Sequence, residues 1–150
     1  MKGPHFSSAS VHWATPADTY AALDAEFCFS YDPCPLRADV DGLAVSWKNR
    51  RVFCNPPYGP GLRKFLEHHS EPDVAVFLIP ARTDTRWFHE IVLPYAKEIR
   101  FLKGRFKFGN AKNSAPFPSM VVVFKKEGAD FVLASQCLED KQRLLAEVLS

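Results

Sequence analysis

The chain lacks an apolar run that could cross a bilayer, which takes roughly 20 residues. Its longest, Val74 to Ile79, has six. Met1 to Trp13 has no apolar core of the kind a secretion signal carries. A soluble, cytoplasmic protein is expected. Cysteine is sparse, four residues (Cys28, Cys34, Cys54, Cys137) with no C-x-x-C spacing. That excludes the usual zinc ligand sets and the dense framework of secreted mini-domains. The expectation is reduced, mostly buried thiols and no metal. His68 and His69 are adjacent, so on a helix their side chains diverge. Net charge is also lacking, a formal +2 from nineteen Lys+Arg and seventeen Asp+Glu, which by itself implies no polyanionic partner. No internal repeat or low-complexity tract is present.

What remains is an ordinary globular composition, 47% hydrophobic over 150 residues. That fits one domain with a real core. Residues 1–12 read as a loose polar arm and 13–150 as the domain. Thr15-Pro16-Ala17-Asp18 predicts a helix start, with Thr15 able to cap and Asp18 at the positive end. Tyr20, Leu23 and Phe27 form its core face. The aromatic run 27–31 predicts a strand ending at Asp32-Pro33. A polar stretch follows, holding Asp39, Asp41 and Trp47. Arg51 to Cys54 predicts a second strand, and 62–69 a helix. Val74 to Ile79, apolar without alternation, predicts a strand covered on both faces. Residues 84–95 read as a helix stopped near Pro94. Strands are expected at 98–102 and 120–124, shorter candidates at 105–108 and 131–134, and a terminal helix at 138–149. Strands alternating with helices predict an α/β fold with a mostly parallel sheet. Ligands then bind beyond the carboxyl ends of strands, which places Asp32, Asn55 and Pro80 along one rim.

Asn55-Pro56-Pro57-Tyr58 is the segment richest in chemistry. Two prolines remove two backbone donors and stiffen the chain, and each disfavours a helical residue before it. The Asn55 side chain and nearby carbonyls are thereby held in fixed directions beside an aromatic ring. This suits a planar ring with an exocyclic amine, whose lone pair is delocalised and poorly nucleophilic. The Asn55 oxygen and the Pro56 carbonyl could accept its two N–H groups and localise that pair, while Tyr58 stacks on the ring. No strong base is required when the donor is a sulfonium methyl. Position and electrostatics carry the step. The plain alternatives are a stiffened strand-to-helix turn and a Pro-Pro-Tyr peptide ligand.

The ordered pattern resembles the phage-type DNA N6-adenine methyltransferase family, which uses S-adenosylmethionine. Its pieces are Trp13-Ala14-Thr15-Pro16, Asp32-Pro33-Cys34-Pro35, Asp41-Gly42-Leu43 with Trp47, and Val52 to Tyr58. They continue with Ile79 to Thr85, Trp87-Phe88, Gly104 to Phe108, and Ala115 to Ser119 before the Val121 to Phe124 strand. The resemblance implies a compact, trimmed Rossmann-like methyltransferase fold and double-stranded DNA as substrate. It implies that Asn55, Pro56, Pro57 and Tyr58 form the catalytic segment. Trp13, Thr15, Pro16, Asp32 and Asp41 fall on the cofactor side, with Thr15 and Pro16 near its methionine portion and Asp32 facing its amino group. Phe106 or Phe108 supplies a wall for the flipped base, since adenine N6 is inaccessible to such a pocket in a stacked duplex. Arg82, Arg86, Arg105 and Lys107 contact phosphates.

The chain departs from a full cofactor fold in one place. Pro33-Cys34-Pro35-Leu36 stands where a glycine-rich turn is usual, and only 22 residues separate Asp32 from Asn55. Either Asp39 or Asp41 is a candidate for the cofactor ribose, and Asp41 beside Gly42 reads equally as a turn residue. Trp13 and Trp47 read as cofactor-flanking or as packing residues. From Lys97 to Lys112 there are six basic residues and one acid, either a solvated edge or a phosphate-tracking surface. A non-catalytic DNA-binding module, and methylation of an RNA base or a glutamine amide, stay open beside the main reading. So does the oligomeric state.

Overall fold

The structure is a computed structural model that describes residues 14–35, 41–107 and 114–129, together with positions 137, 142, 143 and 146. The expected elements at 131–134 and 138–149 therefore lie outside the described residues or almost so. Helix α1 spans Ala17–Phe27 and buries Leu23 and Phe27. Its N-cap is Pro16, which makes no side-chain cap bond. The expected Thr15 cap is not formed, because that hydroxyl is turned toward Asn55. Cys28 ends the helix in the left-handed region, φ 52°, donating its N–H to the Asp24 carbonyl. The Asp24 carboxylate takes the Phe29 N–H. The expected strand at 27–31 is thus absent. The helix absorbs Phe27, and only Tyr31 pairs, in a single parallel bridge to Val52.

Four strands follow: β1 (Arg51–Cys54), β2 (Val74–Pro80), β3 (Glu98–Phe101) and β4 (Ser119–Lys125). Their order is β1-β2-β4-β3. Only β1 and β2 pair in parallel, and β4 is antiparallel to both β2 and β3. The expectation of a mostly parallel sheet is therefore corrected to a mixed sheet with two antiparallel pairs of three. The cause is the β3–β4 connection. Among its described residues no helix forms, so the chain turns back on itself rather than crossing over. β4 then slots between β2 and β3, and the other three strands all point one way. Their carboxyl ends share a rim.

The parallel β1–β2 pair does have a crossover, through α2 (Leu62–Leu66), which buries Leu62, Phe65 and Leu66. The expected helix at 84–95 is helical from Arg86 to Tyr95, with a wide π turn at Phe88–Val92 before α3 (Leu93–Tyr95). Pro94 sits inside this segment rather than stopping it. A proline ring clashes with the carbonyl four residues back, and a widened turn moves that carbonyl aside.

Every residue of β1 and β2 is buried, as is all of β4 except Lys125, while β3 is an exposed edge. Phe77 and Phe124 meet edge to face across the β2–β4 pair, and Trp47 is wholly buried against Phe77. Arg100 fastens β3 to α1 with two bonds to the Glu26 carboxylate, 2.7 and 2.6 Å, and another to Glu98. Three charge-assisted contacts take it out of the basic stretch expected to track phosphate. The thiols also differ from expectation. Cys28 and Cys137 form a disulfide, their Cα atoms 5.6 Å apart, while Cys34 and Cys54 are free. A pairing across 109 positions depends on where the chain's end docks, which spacing does not encode.

Candidate active site at the sheet rim

Asp32 leaves the Tyr31 bridge, Asn55 leaves β1 and Ala81 leaves β2, all at the same rim. Asn55 is 5% exposed. Its Nδ2 donates to Thr15 Oγ1 at 3.0 Å, and its Oδ1 accepts the Tyr58 hydroxyl at 2.8 Å. One partner takes from the amide nitrogen and the other gives to the oxygen, so together they set which way the carboxamide faces. Tyr58 also reaches the Leu78 carbonyl at 3.3 Å and sits edge-on to Phe117, centroids 5.2 Å apart. Burial pushes its phenol far above the ordinary tyrosine range, so it acts as a neutral donor. The ring is turned inward, 7% exposed. It orients Asn55 here instead of presenting an open face for stacking. Pro56 is buried and Pro57 half-buried, as expected of a rigid shelf.

Asp32 is half-buried. Burial pushes its carboxyl up to about 6 from 3.8, against a lowering pull from the Cys34 N–H, which donates to Oδ1 at 2.8 Å. Cys54 lies under the same spot. Burial raises its thiol, and neighbouring Cys34 adds to that rise, so it stays protonated and unreactive.

The short span between Asp32 and Asn55 closes through Gly42. A Cβ there would stand 1.9 Å from the Pro33 carbonyl oxygen, so only glycine allows the two loops to touch. Trp47 Nε1 donates to the Gly42 carbonyl at 2.9 Å. Trp47 is therefore a core residue that pins this contact. Asp41 is exposed, and its carboxylate takes the Leu43 N–H at 2.9 Å. That is the turn geometry the sequence left as one alternative.

The cations divide. Arg82 lies over the Phe117 ring at 5.7 Å. Arg86 meets Glu90 at 3.4 Å, and Arg105 and Lys107 are exposed. Phe106 is half-buried against the core, and its carbonyl accepts the Ala115 N–H at 2.6 Å. Trp13, Asp39 and Phe108 lie outside the described residues. Arg63 also belongs to this region without a signal in the sequence, and Phe117 and Gly42 stand in the motif pieces without a role assigned to them there. The Gly42 signal was present, a glycine directly after the aspartate thought to make a turn. No group of three metal-type side chains occurs among the described residues, and no helix there is long and apolar enough to cross a membrane.

A family model described as DNA N-6-adenine-methyltransferase (Dam) matches residues 6–144. The chain belongs to this family. Dam-family membership makes it one of an enzyme class whose substrate is DNA and whose reaction is methylation of adenine N6. Such methyltransferases generally use S-adenosylmethionine. The mixed α/β sheet fits that assignment. A search of the curated proteins finds no match.

Proposed function

We propose that this Dam-family protein transfers a methyl group to adenine N6 at specific sites in double-stranded DNA, with the target base turned out of the helix into a pocket at Asn55-Pro56-Pro57-Tyr58. The observation that carries this is the double hydrogen bond on the Asn55 carboxamide, from Tyr58 and to Thr15. An amide held on both sides is fixed in orientation and meets the substrate without reorganising, which is how preorganised dipoles contribute most. Asn55 Oδ1 and the Pro56 carbonyl accept the two N6 hydrogens and localise the nitrogen lone pair. Tyr58 and Thr15 are positioning residues. S-adenosylmethionine, when bound, would supply the methyl from its sulfonium and depart as a neutral thioether, so the chain needs no base to activate the nucleophile. The methylated, cationic N6 then loses a proton readily to water.

Asp32 fits the cofactor side. No cation among the described residues is paired with it, and the Cys34 N–H offsets only part of the burial penalty on the charged form. An amino group donated by the cofactor relieves that penalty. Pro16, Asp41 and Trp13 complete the proposed cofactor side, with Asp41 acting through the turn that touches Pro33. Phe106 and Phe108 line the flipped base, and Arg82, Arg86, Arg105 and Lys107 face the phosphates. The family match favours DNA over an RNA base or a glutamine amide.

The test is a methylation assay on total DNA with base-resolution readout. N6-methyladenine at defined sites is expected, and none with Asn55→Ala. Wild-type protein that methylates no adenine overturns the proposal. The short Asp32–Asn55 span favours a second reading, a DNA-binding module without catalysis. Saturable micromolar binding of S-adenosylmethionine in calorimetry eliminates it.

A further inference from the structure

Directly after Tyr58, the chain borders a groove of about 400 Å³ lined by Gly59, Pro60, Arg63, Arg86 and Trp87. One wall is the start of α2 and the other is the start of the 86–95 helix, so the groove opens between the segments that leave β1 and β2. Arg63 and Arg86, which line it, both pair with one carboxylate, that of Glu90. Glu90 Oε1 accepts from Arg63 at 2.7 Å and Oε2 faces Arg86 at 3.4 Å. All three side chains are solvent-accessible, Arg86 at 87%. Glu67 takes the remaining side of Arg63 at 3.4 Å.

Two guanidiniums sharing one planar acid are spaced for any other planar or tetrahedral oxyanion of that size. Exposed ion pairs contribute little net stability, so exchanging the carboxylate for another anion is not opposed by a large loss. Trp87 beside the fork offers an apolar face for a sugar or base edge.

Resting on the DNA reading above, we infer that Arg63 and Arg86 form a phosphodiester-binding fork beside the catalytic segment, and that Glu90 is its internal placeholder, displaced by a DNA phosphate. The carboxylate prearranges the two cations and keeps them from holding other anions indiscriminately. When the backbone next to the flipped base enters the groove, its phosphate takes the Glu90 positions.

A placeholder has a consequence that a merely structural acid lacks. Removing its charge strengthens binding. Glu90→Gln is expected to tighten duplex binding several-fold and to leave S-adenosylmethionine affinity unchanged. Arg63→Gln and Arg86→Gln are each expected to weaken duplex binding several-fold. Each is also expected to make the slope of log K against log salt shallower by about 0.9. The measurements are fluorescence anisotropy with a labelled adenine-containing duplex over a salt series, with thermal melts and cofactor calorimetry on every variant to show that it is folded. If Glu90→Gln binds DNA no tighter than wild type, or if both arginine variants keep the wild-type slope, the fork is refuted while the functional proposal stands. Wild-type protein that binds no DNA at all refutes both.

Discussion

Asp32 offers the most quantitative check on the rim. Its carboxyl is raised from 3.8 to about 6 by burial, so the folded protein holds a proton there more tightly than the unfolded chain. Folding stability from this group is therefore greatest below about pH 4. It falls as pH rises from 4 to 6 and is level above that. A shift of about 2 pH units corresponds to about 3 kcal/mol, an upper figure because the side chain is only half-buried. Other carboxylates move oppositely. Hydrogen bonds from arginines hold Glu26, Glu90 and Glu98 below the usual range, and their contribution is lost as pH falls. The Asp32→Asn variant separates the two, since asparagine keeps an acceptor for the Cys34 N–H and removes only the titration. Urea unfolding of both proteins at pH 4.5 and pH 8 should show the variant gaining on wild type by up to about 2 kcal/mol at the higher pH, since part of the loss has already occurred by pH 4.5. A second reading follows from the proposed cofactor role. At pH 6 the group is about half-ionised, so pairing with an amino group should release about half a proton. Calorimetry in buffers of different ionisation enthalpy measures that number, and the variant should release none. A stability difference constant with pH within about 0.5 kcal/mol refutes the burial argument. Equal proton release from both proteins refutes the cofactor contact.

Tyr58→Phe and Thr15→Val each remove one bond that holds Asn55. Each should lower kcat about tenfold, the worth of one hydrogen bond, with KM for DNA little changed. A KM effect at constant kcat speaks against positioning. Gly42→Ala should destabilise the fold by about 1–3 kcal/mol in urea titration, because the neighbour that must yield is Pro33 backbone. Thiol titration of denatured, unreduced protein should find two free cysteines, Cys34 and Cys54. Finding four refutes the Cys28–Cys137 link. Its reduction should cost about 2–4 kcal/mol of stability.

The strands were readable where burial is total. β1, β2 and β4 came out within a residue or two of expectation, because continuous apolar runs bounded by prolines or charges leave little choice. Strand direction was not readable. It depended on the β3–β4 connection, whose described residues form no helix. The 27–31 run failed because local helix propensity through Ala25 and Glu26 carried α1 to Phe27, leaving Tyr31 alone to pair. At the site, Asn55 and its prolines were legible through backbone stiffness. The partners of Asn55 were not. A threonine 40 positions away and a tyrosine turned inward are tertiary facts. Sequence equally suited Thr15 as a helix cap and Tyr58 as a stacking ring. Arg100 looked like part of a basic stripe, since its carboxylate partner Glu26 lies 74 positions upstream.

Among the described strands β4 is the last to be synthesised, yet it supplies the second neighbour of β2 and the one described partner of β3. Until residues 119–125 leave the ribosome, seven apolar residues of β2 present an unpaired edge to the surroundings. Such an edge invites pairing with another chain. The nascent protein thus passes through a stage in which Asp32, Asn55 and Arg86 are all already made but the sheet beneath them is half built. A chain cut short before Ser119 carries the residues of the rim but leaves the β2 edge bare.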